Sequence, residues 1–185
     1  EFQLEYRLRW IDELGISYVL GGSVASSLIG EPRATADLDV AVRIREDDVD
    51  RLLAVVADDF YASTDQVRAA IHDRGSFNLV AWGSADKVDV FVLGDGLLDR
   101  RQLERRQQVD VAGVALWVTS VEDQVLRKLT WFEMTGQTSE RQWRDVVGIL
   151  VVQSGRIDEE NLTGAARELG LDALLERARA DAASS

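Results

Sequence analysis

The chain has 185 residues with 33 acidic and 21 basic side chains, which gives a formal net charge of -12. It contains no cysteine and a single histidine, so disulfides, a cysteine nucleophile and a zinc site built on cysteines or several histidines are excluded. The acidic balance argues against a protein that coats nucleic acid by bulk charge, so any such contact would need a local basic patch.

The first 43 residues are predicted to alternate between helices and strands. Apolar residues at helical spacing, and apolar runs or strict alternation in the strands, indicate these elements. In chain order they are a helix over 2–14, a strand over 17–20, a helix over 24–29 and a strand over 37–43. A Gly-Gly-Ser turn over 21–23 separates the first strand from the second helix, and a loop with the only proline precedes the second strand.

The middle of the chain predicts an antiparallel hairpin flanked by helices. Two strand-like runs are joined by a short turn sequence, Gly-Ser-Ala-Asp. The predicted elements are helices over 46–57 and 63–72, strands over 76–82 and 87–93, a basic helix over 97–106, and strands over 109–118 broken near Gly113. The segment Ser-Thr-Asp-Gln over 63–66 resembles a capping box at the start of the second of these helices.

After residue 119 the pattern becomes wholly helical. Capping boxes at Ser120 and Ser139 predict two helix starts. The four predicted helices cover 120–134, 139–152, 158–169 and 171–180. We therefore expect an α/β core over 1–118 and a helical region over 119–185 that packs on it.

The residues most indicative of chemistry are a glycine-serine turn and a pair of carboxylates. Gly22 and Ser23 precede Asp37 and Asp39 by a spacer of 13 residues. Carboxylates two residues apart on a strand project from the same face and repel each other unless a cation lies between them. Magnesium prefers such oxygen ligands, and a glycine turn before a helix favours phosphate.

A third carboxylate, Asp89, lies on the predicted strand that begins at Lys87, with Val88 and Val90 directed to the core. If this strand lies beside that of Asp37, three carboxylates meet at one place. Three carboxylates with two metal ions and a phosphate-binding turn form a site for phosphoryl or nucleotidyl transfer.

These motifs resemble those of the DNA polymerase β-like nucleotidyltransferases. The turn Leu-Gly-Gly-Ser over 20–23, the segment Arg-Ala-Thr-Ala-Asp-Leu-Asp over 33–39 and the strand Lys-Val-Asp-Val-Phe over 87–91 carry the resemblance. The form of the carboxylate motif is similar to the small bacterial branch, which includes abortive-infection toxins and minimal enzymes. The resemblance implies an α+β fold, a mixed sheet flanked by helices and followed by a C-terminal helical bundle.

The resemblance also implies roles for individual residues. Asp37, Asp39 and Asp89 would be catalytic and hold two magnesium ions. Nucleotide-binding roles fall to Gly22, Ser23, Arg33, Thr35, Lys128 and Asp145. Among these, Gly22 and Ser23 would bind the triphosphate, Lys128 would meet its charge, and Asp145 would orient Lys128 or the substrate.

Several of these residues also have purely structural interpretations. Lys128 could be a solvated helix residue, and Asp145 could pair with Arg141 four positions earlier. Arg33 and Thr35 could only shape the loop before the carboxylates.

Side chains outside the motifs are expected to be structural. For the cluster Arg100, Arg101, Arg105 and Arg106, a solvated helix face is favoured over a docking patch for RNA or another anion. We expect Trp131 and Trp143 to pack within the helical region.

The function expected from these features is magnesium-dependent transfer of a nucleoside monophosphate from a nucleoside triphosphate to a hydroxyl of RNA, protein or a small molecule. A toxin-like or housekeeping transferase acting on RNA or protein is favoured, and a toxin would have an antitoxin partner. The alternative is a catalytically silent nucleotide-binding or protein-interaction module of the same fold. A phosphatase-like hydrolase is disfavoured because its carboxylate clusters lack a Gly-Ser turn at this spacing.

No predicted span or signal segment indicates a membrane, so the cytoplasm is the expected compartment.

Overall fold

The computed structural model of the chain describes residues 2–22, 37–84, 86–111 and 113–184, and within these ranges the side chains of residues 2–4 and 37 are not described. The strands are β1 Ser17–Leu20, β2 Asp37–Arg43, β3 Phe60–Tyr61, β4 Ser76–Ala81, β5 Lys87–Val92, β6 Gln107–Val111 and β7 Val114–Val118. The helices are α1 Phe2–Leu14, α2 Val49–Val56, α3 Thr64–Asp73, α4 Leu97–Glu104, α5 Val121–Met134, α6 Glu140–Val152, α7 Glu159–Glu168 and α8 Asp172–Ala183.

The described strands form one mixed sheet in the order β3-β4-β5-β2-β1-β7-β6. The pairs β1–β2, β3–β4, β4–β5 and β6–β7 are antiparallel, whereas β2–β5 and β1–β7 are parallel. The predicted hairpin is therefore β4–β5, and it places β5 directly beside β2. This arrangement confirms the mixed sheet flanked by helices.

Most of the predicted elements are confirmed, with differences at short or uncapped segments. The two-residue strand β3 was not predicted, because two residues are too few to show an alternation. The predicted helix over 46–57 begins with a 3-10 turn, Glu46–Asp48, before α2 starts. The predicted helix over 24–29 lies outside the described residues.

Serine side chains cap the helices whose starts the capping boxes predicted. The hydroxyls of Ser63, Ser120 and Ser139 accept hydrogen bonds from backbone N–H groups three residues later, at 3.4, 3.2 and 3.4 Å. Each bond satisfies one of the amide donors that a helix leaves unpaired in its first turn. The starts of α3, α5 and α6 are therefore set by local sequence.

The buried apolar side chains form two clusters. One covers a face of the sheet under α1, α2 and α3, and it includes Leu38, Val40, Val88 and Val90. The other is built from α5 to α8, and Leu98 of α4 belongs to it. Helix α4 therefore bridges the sheet and the C-terminal helices.

Among the described residues, no helix combines the length and the apolar character that crossing a bilayer requires.

Candidate active site

The aspartates of β2 and β5 are neighbours in the sheet. The two strands are parallel, and their register sets Asp39 opposite Asp89 and Asp37 opposite Lys87. Asp39 is half-buried and the side chain of Asp89 is 19% exposed. Because successive strand residues alternate between faces, Asp39 and Asp89 share the face opposite to the apolar core. The structure thus brings together two of the three carboxylates that the sequence analysis singled out, and it places the backbone of Asp37 at the start of the same strand.

Gly22 packs directly on the side chain of Asp39. Its φ is +57°, and a Cβ atom built on it would lie 1.7 Å from Oδ2 of Asp39. Any other side chain would therefore displace the carboxylate, in addition to the strain of a left-handed backbone. The turn is also anchored on both sides, since the Gly21 amide donates to the carbonyl of Asp39 at 3.2 Å and Nε2 of Gln124 donates to the carbonyl of Gly22 at 3.0 Å.

The donor set at this position suits a hard divalent cation. Asp39 and Asp89 present carboxylate oxygens on adjacent strands, and oxygen is the ligand that magnesium prefers. The absence of a Cβ at Gly22 leaves the space that the Asp39 carboxylate occupies beside the turn. Among the described side chains, which do not include that of Asp37, no group of three His, Cys, Asp or Glu residues is close enough to hold a metal ion.

Lys87 forms an ion pair with the third carboxylate. Its Nζ lies 3.0 Å from Oδ2 and 3.2 Å from Oδ1 of Asp89, two residues along the same strand. This contact was not predicted from the sequence, although residues two positions apart on a strand lie on the same face. A positive charge is therefore already present at one of the candidate metal ligands.

Lys128 and Asp145 form a buried ion pair between α5 and α6. Nζ of Lys128 lies 2.7 Å from Oδ2 of Asp145 and 3.4 Å from Oε1 of Gln142. The solvated interpretation of Lys128 is wrong, because only 2% of the residue is exposed. Burial lowers the pKa of Lys128, while the negative charges of Asp145 and Asp39 act in the opposite direction. Asp145 and, to a smaller extent, Asp39 therefore favour the charged form of the lysine.

The remaining predicted nucleotide-binding residues, Ser23, Arg33 and Thr35, lie outside the described residues.

The basic helix α4 and the turn after it are a solvated face only at Arg100, which is exposed; for Arg101, Arg105 and Arg106, which are partly buried, that expectation is wrong. Arg101 donates through Nε to Asp123 at 2.8 Å, and Arg106 donates to the carbonyl of Tyr18 at 2.7 Å. The guanidinium of Arg106 also stacks over the ring of Trp117 at 4.5 Å. These arginines tie α4 and its C-terminal turn to the sheet and to α5, which removes them as a free docking patch.

The two tryptophans of the helical region have different surroundings. Trp143 packs on Phe132 at 4.8 Å, as expected for a residue of the helical region. Trp131 instead contacts Phe91 of β5 at 5.7 Å, so it faces the sheet. A cavity of about 270 Å³ lies beside this contact, and Gly22, Asp39 and Arg127 also line it. The candidate site therefore opens into a space between β5 and α5.

No protein-family model and no curated protein matches the chain. Solved structures do match it. An antigenic nucleotidyltransferase-like protein from Paracoccidioides brasiliensis is 18% identical with a TM-score of 0.56, over 96% of this chain and 90% of that one. The antibiotic-resistance factor ANT(2'')-Ia is 15% identical with a TM-score of 0.60, over 97% and 96%.

The lincosamide antibiotic adenylyltransferase LnuA is 13% identical with a TM-score of 0.53, over 80% of this chain and 95% of that one. The chain therefore has the nucleotidyltransferase fold, and the resemblance recognised in the sequence motifs is confirmed at the level of the fold.

Proposed function

We propose that the chain is a magnesium-dependent nucleotidyltransferase that moves a nucleoside monophosphate from a nucleoside triphosphate to a hydroxyl group. The observation that carries the proposal is the register of Asp39 with Asp89 on adjacent strands, with Gly22 packed on Asp39. A glycine with positive φ beside Asp39 leaves the backbone of the turn accessible to a phosphate, which supports this role for the turn.

The three aspartates would carry the catalytic roles. Asp37, Asp39 and Asp89 would hold two magnesium ions, and Asp89 would also accept the proton of the attacking hydroxyl. Magnesium, when bound, supplies positive charge at the entering and leaving oxygens. The reaction forms a bond between the hydroxyl oxygen and the α-phosphorus, and it releases pyrophosphate.

The nucleotide would be held by the turn and by cations on both sides of it. Gly22 and Ser23 would donate backbone amides to the triphosphate, and Arg33 and Thr35 would contact the nucleotide from the loop that follows. Lys128 would offset the triphosphate charge from α5, with Asp145 keeping its amine in place at 2.7 Å. A buried lysine held by a carboxylate is positioned before the substrate arrives, which lowers the cost of binding.

For the acceptor we propose a hydroxyl compound of small-molecule size. One matched structure is the antibiotic-resistance factor ANT(2")-Ia in complex with adenylyl-2"-tobramycin, and another is the lincosamide antibiotic adenylyltransferase LnuA with lincomycin bound; each match covers most of both chains. The cavity of about 270 Å³ beside Asp39 is close to the volume of small-molecule sites, roughly 300 Å³ and above. An RNA or protein acceptor, and a toxin with its antitoxin, remain predictions from the sequence motifs.

The proposal predicts that Asp39→Asn and Asp89→Asn abolish transfer. Each variant replaces a metal-ligating carboxylate by an amide, and losing one such electrostatic contact costs about 100-fold or more in rate. The measurement is transfer of label from α-phosphate-labelled nucleoside triphosphates, with magnesium, to panels of hydroxyl-bearing small molecules, RNA and protein. Asp50→Asn is the control, because Asp50 is an exposed aspartate that pairs with Arg68 away from the site.

The result also separates the alternatives. Label on RNA or protein alone would contradict the proposed acceptor but support the transferase. Calorimetric binding of nucleoside triphosphate with magnesium, without transfer to any acceptor, would favour the silent module. Transfer that Asp39→Asn leaves unchanged would refute the proposed site.

A further inference from the structure

We infer that Lys87 competes with the divalent metal for Asp89, so that the metal site is complete only when the lysine leaves this carboxylate. The inference rests on the proposed metal site and adds a regulatory element to it. Lys87 is one of only two lysines in the chain, and its amine contacts both oxygens of Asp89, at 3.0 and 3.2 Å.

The strand geometry keeps this amine on the face of β5 that bears Asp89. Lys87 and Asp89 project from the same face of β5, and the register sets Lys87 opposite Asp37. The lysine therefore lies on the strand that pairs with β2, one register step before the pair of Asp39 with Asp89 on the same face. A metal ion that binds Asp89 would share its carboxylate oxygens with the ammonium group, and the two like charges would repel each other.

The Lys87–Asp89 ion pair is exposed enough for a metal ion to replace the lysine. The side chain of Lys87 is 36% exposed and that of Asp89 is 19% exposed, in contrast to 3% and 5% for Lys128 and Asp145. A partly solvated ion pair is worth only about 1 kcal/mol or less, so a divalent ion can displace the amine. The buried Lys128–Asp145 pair has no such freedom.

A nucleoside triphosphate would assist this exchange. Its phosphates carry the negative charge that Lys87 loses when it leaves Asp89, and in the proposed site they lie beside Asp37 and Asp39. Metal binding and nucleotide binding would then favour each other, because each stabilises the state in which Lys87 has left Asp89. Lys87 would act as a positioning residue that keeps the free chain poorly loaded with metal.

The test is the affinity of the full chain for Mn²⁺ alone, measured by electron paramagnetic resonance without nucleotide. Lys87→Met should bind Mn²⁺ about 5-fold more tightly than the wild type, since the competing charge is gone. Lys87→Arg should stay near the wild-type affinity because it keeps the cation. Arg68→Met, which removes one positive charge from an exposed pair between α3 and α2, should leave the affinity unchanged.

A double-mutant cycle with Asp89→Asn identifies the cause. If Lys87 acts through Asp89, the gain from Lys87→Met disappears in the Asp89→Asn background. A non-hydrolysable nucleotide analogue should tighten Mn²⁺ binding of the wild type more than that of Lys87→Met.

The outcomes separate this inference from the proposed function. Wild-type binding that Asp89→Asn weakens, together with an unchanged or weaker affinity of Lys87→Met, overturns the inference alone. No Mn²⁺ binding by either the wild type or Lys87→Met, even with the nucleotide analogue, or binding that neither Asp39→Asn nor Asp89→Asn affects, overturns both.

Discussion

At the scale of single residues, the candidate site depends most on a glycine. Gly22 has a φ of +57° and lies where a Cβ atom would meet Oδ2 of Asp39 at 1.7 Å. Two separate effects therefore require glycine: the left-handed backbone and the space that the carboxylate occupies. Two other glycines separate these effects. Gly15 also has a positive φ, but no atom lies within 4 Å of a Cβ built on it. Gly148 lies in α6 and has neither a positive φ nor a close neighbour.

We predict that Gly22→Ala lowers both stability and transfer. Left-handed backbone strain alone costs an alanine about 1–2 kcal/mol, and the collision with Asp39 adds to it and moves a proposed metal ligand. The measurements are urea unfolding and label transfer. Gly15→Ala should show the backbone cost with normal transfer, and Gly148→Ala should be neutral or stabilising by about 1 kcal/mol. Equal effects of Gly22→Ala and Gly15→Ala would show that contact with Asp39 is unimportant.

At the scale of elements, helices α5 and α6 hold a buried ion pair in their interface, next to the candidate site. Lys128 and Asp145 are both buried, and the sequence distance of 17 residues between them is spanned by the packing of the two helices. The same α5 reaches the glycine turn through Gln124, whose amide donates to the Gly22 carbonyl at 3.0 Å. One helix therefore connects the glycine turn proposed to bind phosphate, the buried cation and the cavity.

We predict that Lys128→Met destabilises the chain by about 3–5 kcal/mol, because it leaves the Asp145 carboxylate buried without its lysine. The double variant Lys128→Met, Asp145→Leu should recover most of that loss, since it removes both charges. Transfer should nevertheless fall about 100-fold in the double variant if the lysine offsets triphosphate charge. Urea unfolding and label transfer measure the two effects, and a stable double variant with wild-type transfer would exclude Lys128 from nucleotide binding.

At the scale of the whole molecule, a buried charge cluster joins the sheet side to the C-terminal helices. Asp123 of α5 is fully buried; Arg101 of α4 donates to it at 2.8 Å and also to Asn161 of α7 at 2.6 Å. Arg105 adds a second cation, 3.8 Å from Asp123. Burial raises the pKa of Asp123, and both arginines act to lower it. Three helices thus meet at one carboxylate that needs its arginines to remain charged.

We predict that Arg101→Met destabilises the chain by about 3–5 kcal/mol at neutral pH. The loss of Arg101 raises the pKa of Asp123 further above its ordinary value of 3.8. A carboxyl whose folded pKa is raised stabilises the fold at low pH, and this stabilisation is lost as the pH rises through the folded pKa. The cost of Arg101→Met should therefore be smaller near pH 5 than near pH 8, as measured by urea unfolding.

The control for this pH dependence is Arg68→Met, whose partner Asp50 is exposed. An exposed pair should cost at most about 1 kcal/mol at either pH. A cost of Arg101→Met that stays constant between the two pH values would contradict the buried-carboxylate explanation.

By itself, the sequence determined the features that depend on neighbours within a few residues. Alternation over 37–43 indicated a strand with Asp37 and Asp39 on one face, and the serine capping boxes located the starts of α3, α5 and α6. Each of these follows from geometry that repeats every two or every 3.6 residues, so a single chain segment contains the information.

Only the tertiary structure decided which distant residues meet. The parallel pairing of β2 with β5 set Asp39 opposite Asp89, and helix packing joined Lys128 to Asp145. Packing also converted the expected solvated arginines of α4 into partners of buried groups such as Asp123. The physical reason is that strand order and helix contacts depend on the burial of apolar faces from the entire chain, which no local spacing specifies.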